Sequence, residues 1–362
     1  MEFGYFTLSD NRYPDNERTP ERLLHEIYEQ ALYAEELGFH SAWIGEHHFN
    51  LLGVNASPHI LLAQLAGATK RIRLAPAVVL LPVHHPLMVA EEWATLDQLS
   101  GGRVDFAAGR GYDAKEYAPF GVPFDESAEI FEEGLQVLWR AWTEPGPFAH
   151  DGKYYKFPAL DVRPKPLQQP LRPFVASFSK LSMEIAAKND WNIIYAPFAA
   201  TMVYGSLANG VRAYGEACEG HGRPPRRSNC SYFIHIATTP EEERYGREAL
   251  ITYFHSIIPS FPSDLAKAPP NLRYFVDIVE RLKRATPEGL DSNSILIGPP
   301  AAIAEQLARV AESGISEVIL YFSYGRKPHS MVKEQMHRFA QEIAPAFGGG
   351  KNVEQTRFVH SG

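Results

Sequence analysis

Short apolar segments alternate with amphipathic helical segments along almost the whole chain, and this alternation constrains the fold more than any other feature of the sequence. Several apolar segments are hydrophobic nearly throughout, which is typical of strands covered on both faces. Parallel strands need a crossover connection, so the alternation predicts βαβ units. The eight predicted strands are residues 2–8, 40–46, 72–81, 103–109, 173–178, 192–196, 230–238 and 316–323. Eight such strands, each followed by a helix, favour a closed (β/α)8 TIM barrel of the α/β class over an open sheet.

Two segments interrupt this repeat. Residues 144–173 contain seven prolines and are predicted to form an irregular insertion before the fifth strand. Residues 239–295 follow the seventh strand and are far longer than one crossover needs, so they form either a lid over the C-terminal face or a subdomain that packs there. We expect one barrel domain over residues 1–347 and a mobile tail over residues 348–362.

Charge and cysteine content exclude several classes of protein. Lys plus Arg total 35 against 43 for Asp plus Glu, a net charge of −8, and no basic run offers a contact for nucleic acid or an anionic membrane. We see no secretory signal and no apolar run long enough for a bilayer. The two cysteines, Cys218 and Cys230, provide no disulfide framework. These features predict a cytoplasmic enzyme.

The segment Glu46-His47-His48 lies at the end of the second predicted strand. A carboxylate beside two imidazoles suits proton transfer near neutral pH, although a histidine that only satisfies a loop carbonyl is the alternative. Strand alternation places His47 and His48 on opposite faces, so spacing does not choose between them. His85 follows the third strand and adds another imidazole, unless the next residue, a proline, simply starts a helix. Neither H-E-x-x-H nor a cysteine pair occurs, which disfavours a zinc site.

Arg110 lies between two glycines at the end of the fourth predicted strand. Residues 109–114 match the dinucleotide fingerprint G-x-G-x-x-G/A, but Pro119, Gly121 and Pro123 follow too soon for the helix that this motif must open. We therefore interpret Arg110 as a guanidinium placed to bind a phosphate, with a buried structural arginine as the alternative.

Serines and a lysine join the fifth predicted strand to the next helix. Ser177, Ser179, Lys180 and Ser182 lie in this connection. Hydroxyls and free amides at a helix N-terminus bind anions, although a serine there is also a common helix cap. Together with Arg110, these residues are predicted to hold the phosphate of a mononucleotide.

Five segments resemble the bacterial luciferase-like superfamily of flavin-dependent monooxygenases. They are MEFGYF, GFHSAWIGEHHF, LAPAVVLLPVHHP, LDQLSGGRVDFAAGRG and FVASFSKLSMEIAAK. The resemblance extends from residue 2 to about residue 345 and implies the same (β/α)8 barrel. It also implies that reduced FMN, made by a separate flavin reductase, binds at the barrel mouth and adds O₂ to give a flavin hydroperoxide.

The resemblance assigns roles to several residues of this chain. His47 matches the catalytic imidazole of the luciferase alpha chain, with Glu46 and His48 as its neighbours. Arg110 and the serines at 179 and 182 match flavin phosphate ligands. Ala77 and Val78 fall where the family has a non-prolyl cis peptide beneath the flavin ring. The predicted substrate pocket comprises Phe49, His85, Tyr112 and Phe178.

Two positions depart from the luciferase pattern. Gly109 replaces a cysteine and Phe178 replaces a glutamate, which argues against light emission from a long-chain aldehyde. The predicted function is a two-component monooxygenase, a homodimer by resemblance, that uses reduced FMN and O₂ on a small apolar organic substrate. The alternatives are a deazaflavin-dependent hydride-transfer enzyme on the same barrel, a flavin-binding protein without catalysis, and a metal-dependent hydrolase.

Overall fold

A ring of parallel strands forms the centre of the computed structural model, which describes residues 1–348 except 12, 51, 53, 178, 262–272 and 291–293. The strands of this ring are β1 (Glu2–Thr7), β2 (Ser41–Ile44), β3 (Arg73–Pro76), β4 (Val79–Leu80), β5 (Ala107–Gly109), β8 (Phe174–Ser177), β9 (Asn192–Tyr195), β10 (Ser228–Ile236) and β12 (Glu317–Tyr321). Outside it lie β6 (Phe148–Asp151), β7 (Lys156–Leu160) and β11 (Leu296–Gly298).

Helices surround the ring. They are α1 (Pro20–Leu37), α2 (Pro58–Ala68), α3 (Pro86–Ser100), α4 (Ala114–Tyr117), α5 (Ser127–Thr143), α6 (Lys180–Asn189), α7 (Pro197–Tyr204), α8 (Leu207–Gly220), α9 (Pro240–Ile257), α10 (Tyr274–Arg284), α11 (Pro300–Glu312) and α12 (His329–Arg338). Helix α1 illustrates how the sequence sets their ends: the Thr19 side chain accepts a hydrogen bond from the Arg22 amide, and Gly38 ends the helix at a φ of 86°. Among the described helices, none has the length and apolar character needed to cross a lipid bilayer.

The strand order closes the barrel. Neighbouring strands follow the order β3-β2-β1-β12-β10-β9-β8-β5-β4, and β3 and β4 are consecutive pieces of the same predicted strand. A parallel bridge between Leu74 and Val104 joins β3 to the segment that leads into β5. The predicted (β/α)8 barrel is therefore confirmed.

Three predicted elements need correction. The single strand predicted for residues 72–81 is divided into β3 and β4, and β11 was not predicted at all. The segment predicted as irregular before the fifth barrel strand contains the antiparallel hairpin of β6 and β7. The carboxylate of Glu133 on α5 accepts hydrogen bonds from the turn amides of residues 153–155, so a contact distant in sequence stabilises this hairpin.

Alternate residues of each barrel strand pack in two separate cores. One face of each strand packs against the helices, and the other fills the barrel interior. The interior layer at the N-terminal end is polar and contains Ser41, Arg73, Asp105, Asn229 and Glu317. At the C-terminal end, five neighbouring strands instead contribute glycine or alanine, at Gly45, Ala77, Gly109, Ala176 and Ala196. We call this set of five small residues the floor of the barrel mouth.

The insertion after β10 packs over that mouth. Leu250 and Tyr253 of α9 are buried in the same core as Ile319 and Tyr321 of β12. The domain boundary predicted at residue 347 stays a prediction, and the predicted tail lies, apart from Gly348, outside the described residues.

Candidate functional site

Glu46 connects two histidines beyond the C-terminal end of β2. Its Oε1 atom lies 2.9 Å from Nε2 of His48 and 2.6 Å from Nε2 of His84. Its Oε2 atom accepts a longer hydrogen bond, of 3.4 Å, from the amide of Leu80 in β4. Because β2 and the β3–β4 segment end at the same edge of the barrel, the fold brings these side chains together.

Charge pairing decides how this group titrates. Burial alone would raise the pKa of Glu46, but hydrogen bonds from His48 and His84 outweigh it and hold that pKa below its usual range. Burial would likewise lower the pKa of His84, but its hydrogen bond to Glu46 and the charge of that carboxylate raise the pKa above its ordinary value. The pair is therefore stabilised as a carboxylate beside an imidazolium.

His47 has a different carboxylate partner. Its Nδ1 atom lies 3.0 Å from Oε1 of Glu116, a buried residue of α4. The same oxygen accepts hydrogen bonds from the His48 amide at 2.8 Å and from the Asn50 side chain at 3.0 Å. Among the described residues none bonds Nε2 of His47. Glu116 thus fixes the imidazole and leaves Nε2 available for exchange of a proton.

Arg110 leaves the end of β5 with an unsatisfied guanidinium nitrogen. Its Nη1 atom is buried and has no hydrogen-bond partner among the described residues. The backbone carbonyl of Arg110 accepts a hydrogen bond from the Tyr117 hydroxyl, which anchors the loop to α4. A buried donor without an acceptor costs free energy, so this nitrogen suits an anionic ligand.

The start of α6 lies next to this loop. Strands β5 and β8 pair in parallel, with Ala108 opposite Val175, so the segments that follow them leave the barrel side by side. Ser179 caps α6 by accepting a hydrogen bond from the Ser182 amide, and the two hydroxyl oxygens are 3.1 Å apart. The first amides of α6 have no acceptor within the helix, so they can bind an anion.

The other predicted cofactor residues differ in exposure. Ser177 is buried and bonds the Ser179 carbonyl, whereas Lys180 is exposed. The peptide bond between Ala77 and Val78 is cis, as the resemblance implies. A Cβ atom at Gly109 would overlap with Cγ2 of Val78, so only glycine fits this part of the floor.

Aromatic rings surround the mouth. The rings of Tyr112 and Phe261 stack at 4.4 Å, and Tyr112 lies 6.4 Å from the His47 ring. On the side opposite the floor, Phe233 of β10 stacks on Tyr321 of β12 at 5.5 Å. We call Phe233, Tyr321 and the adjacent Tyr253 the aromatic wall.

The structure separates the predicted pocket residues. The Phe49 ring is 56% exposed and packs beside His48. His85 is exposed and caps α3, so it is His84 that reaches Glu46. Phe178 lies outside the described residues.

The sequence interpretation missed Glu116 and the contact of His84. No motif marks Glu116, which meets His47 only because the loop after β5 folds against the end of β2. For His84 the signal was present in the double histidine after the third strand, but the sequence alone gave no reason to prefer its first member.

Comparison with known proteins gives partial and full-length matches. A 34% identical protein of Sinorhizobium fredii, y4vJ, aligns over 53% of this chain, and the chain spans about half of that relative's length, 54%. The oxygenase component of a flavin-dependent trigonelline monooxygenase from Acinetobacter baylyi is 25% identical over 97% of both chains. Limonene 1,2-monooxygenase of Rhodococcus erythropolis is 27% identical over 90% of this chain and 82% of its own.

Solved structures share the fold. Monooxygenase RslO1 from Streptomyces bottropensis superposes with a TM-score of 0.80 at 25% identity, covering 96% of this chain and 100% of its own. The FMN-bound oxygenating constituent of 3,6-diketocamphane monooxygenase from Pseudomonas putida has a TM-score of 0.71 at 21% identity, covering 95% and 98%. An F420-dependent secondary alcohol dehydrogenase has a TM-score of 0.69 at 19% identity, covering 95% and 98%. These last two likenesses concern the fold alone.

The family assignment rests on a match along most of the chain. The sequence model of the luciferase-like monooxygenases matches residues 1–317. That range includes every barrel strand except β12, of which it contains only the first residue, and both carboxylate–histidine groups described above. The chain therefore belongs to the luciferase-like monooxygenase family.

Proposed function

We propose that the protein is the oxygenase component of a two-component monooxygenase that uses reduced FMN and O₂ to oxidise a small apolar organic substrate. The observation that carries this proposal is the buried, unpartnered Nη1 atom of Arg110 where β5 and β8 end. A phosphate would supply the missing acceptor, and Ser179, Ser182 and the first amides of α6 would bind its other oxygens.

The floor suits a flat ring system beside that phosphate. Ala77, Ala176 and Ala196 keep partial exposure at the mouth, so space remains above them. When bound, reduced FMN supplies the two electrons with which O₂ yields one oxygenated product and one molecule of water.

This chain's own residues would control protons and water around the reaction. Glu116 orients His47 so that Nε2 exchanges a proton with the reacting groups. The stacked rings of Tyr112 and Phe261 cover this histidine and keep water away, and Lys115 Nζ donates to the Pro259 carbonyl at 3.0 Å, which ties the insertion to α4. The aromatic wall favours an apolar substrate.

The proposed partners are a flavin reductase, which delivers reduced FMN transiently, and a second copy of this chain. The exposed face of α2 supports the homodimer because it carries Ile60, Ala63, Gly67 and Ala68, together with the polar but uncharged Gln64. Leu99 of the adjacent α3 extends this face and is 71% exposed. An apolar surface of this kind is typical of a protein interface.

Comparison of FMN with riboflavin tests the phosphate site. Loss of a charged hydrogen bond costs about 1.5–3 kcal/mol, so we expect Arg110→Gln to weaken FMN binding by about 10- to 150-fold. Riboflavin lacks the phosphate, and its affinity should not change. Titration of flavin fluorescence measures both affinities, with Arg140→Gln on the outer side of α5 as the control.

Equal weakening of FMN and riboflavin would show that Arg110 acts through the fold and not through a phosphate. Binding of the deazaflavin F420 but not of FMN would favour the hydride-transfer alternative. If FMN binds tightly but no apolar compound from a broad panel is oxidised in the presence of a reductase, the protein stores flavin and is not an oxygenase.

A further inference from the structure

One oxygen of a buried carboxylate joins two imidazoles that differ in their access to solvent. Oε1 of Glu46 contacts Nε2 of His48 at 2.9 Å and Nε2 of His84 at 2.6 Å. The side chains of Glu46 and His48 are 2% and 8% exposed, whereas that of His84 is 32% exposed. These contacts form a continuous path from solvent to His48.

Hydrogen bonds explain this geometry better than a metal ion does. The three ligand atoms lie within 4.8 Å of one another, which is close enough to consider a metal. Two ligands that each bind one ion at about 2.1 Å stand roughly 3 Å or more apart. The contact of 2.6 Å between Glu46 and His84 is shorter than that and has the length of a short, charge-assisted hydrogen bond.

We propose that His84 is the solvent end of a proton relay that runs through Glu46 to His48. A proton taken up at Nδ1 of His84 displaces the proton of Nε2 onto Oε1 of Glu46. At rest Nε2 of His48 donates to Oε1; when His48 instead holds its proton on Nδ1, Nε2 accepts the proton from Glu46 and the Nδ1 proton passes toward the barrel mouth. One proton enters, one leaves, and no net charge stays in the buried group.

The relay rests on the proposed function, which requires a supply of protons to the reaction site. Substrate, O₂, the anion of reduced FMN and one proton give oxygenated substrate, oxidised FMN and water, with two electrons from the flavin and two from the substrate. Without substrate, the same anion, O₂ and one proton give oxidised FMN and H₂O₂. Both reactions consume one proton at a site that Tyr112 and Phe261 cover.

The charges around His84 favour its protonated form. Glu46 and His48 face it from the end of β2, and the charge of Glu92 on α3 acts in the same direction. Burial opposes these effects, but the pKa of His84 lies above its ordinary value. The surroundings therefore support an imidazolium that can pass a proton to Glu46.

NMR of the flavin-free protein tests the relay without any catalytic assay. In the wild type, the ¹⁵N chemical shifts of the His48 and His84 rings report which ring nitrogens carry protons. His84→Gln keeps a hydrogen-bond donor for Glu46 but carries no exchangeable ring proton, so we expect it to change the tautomer populations of His48. Unchanged ¹⁵N shifts of the His48 ring would overturn the relay.

Stopped-flow reoxidation of bound reduced FMN by O₂ tests whether the reaction uses the relay. We expect His84→Gln to slow this reaction by about tenfold near neutral pH, since proton transfer then becomes limiting, and millimolar imidazole to restore the rate. His150→Gln is the matched control, because His150 on β6, outside the barrel ring, forms a carboxylate–imidazole pair with Glu133. It should leave the rate unchanged.

Besides unchanged His48 signals, three results would overturn the relay. These are an unchanged rate in His84→Gln at every pH, a slow rate that imidazole does not restore, and a stoichiometric metal in the purified protein that is lost from His84→Gln. FMN titration of the same proteins separates the two proposals. If the wild type binds no FMN, the proposed function fails, while the ¹⁵N shifts of His48 still decide whether the relay exists.

Discussion

Glu317→Gln is expected to make the stability of this protein much less dependent on pH. Glu317 begins β12 in the polar layer at the N-terminal end of the barrel interior and is completely buried. Its carboxylate accepts hydrogen bonds from the Ser41 hydroxyl and from Nδ2 of Asn229 at 2.8 Å. Burial, reinforced by the negative charge of Asp105, raises the pKa of Glu317 to about 7.

The sign and the size of the effect follow from that value. The ordinary pKa of the group is 4.5, so above that pH the unfolded chain gives up the proton while the folded protein keeps it until pH approaches 7. Stability is therefore lost as pH rises between these two values. At roughly 1.4 kcal/mol per pH unit, the loss amounts to about 3 kcal/mol.

Urea unfolding at pH 5 and pH 8 measures this loss. The free energy of unfolding of Glu317→Gln, compared with that of the wild type, should gain about 2.5 kcal/mol between the two conditions, because glutamine stays neutral and a small part of the loss has already occurred at pH 5. The comparison cancels all groups that titrate alike in both proteins. Glu312→Gln, an exposed change near the end of α11, should show no such gain. A difference between Glu317→Gln and the wild type that is the same at both pH values would refute the reasoning.

Three further substitutions test the site and the assembly. Glu116→Gln removes the charged acceptor of His47 Nδ1 and should lower O₂-dependent turnover at least about tenfold without changing the affinity for FMN, as steady-state kinetics and flavin titration would show. Gly109→Ala should destabilise the protein by about 1–3 kcal/mol in urea unfolding, because its methyl group overlaps with Val78; the added change Val78→Ala should recover most of that loss. Ile60→Glu should convert the proposed dimer to a monomer in light scattering, because it would bury an unpaired charge at the interface.

The fold was predictable because the strands are apolar on both faces. A segment such as β12, which is buried at every position, is covered on one face by helices and on the other by the filled barrel interior. Strand β11 was not predictable, since three residues carry no periodicity. The hairpin of β6 and β7 was missed because the Glu133 carboxylate, and not the local sequence, holds its turn.

The site was predictable only in part, because some of its contacts also join residues distant in sequence. Arg110 could be found because glycines on both sides mark a close approach of the backbone, and its unpartnered nitrogen agrees with that interpretation. The partner of His47 could not, since Glu116 lies 69 residues further along the chain. Contacts of this kind depend on which strands end side by side. They can be identified only when the arrangement of strands in the complete barrel is known.

The floor of the barrel mouth and the aromatic wall opposite it limit to different degrees where this protein can change during evolution. A side chain at Gly109 would collide with Val78, and a larger one at Ala77, Ala176 or Ala196 would fill the space that a flat cofactor would need. On the opposite strands, Tyr321 is buried and donates a hydrogen bond to Asp10, which holds it in place, but the partly exposed Phe233 is under no such limit and can be exchanged for other apolar residues. The floor is therefore expected to stay constant among descendants of this chain. The exposed part of the aromatic wall is expected to diversify and to give each descendant its own substrate selectivity.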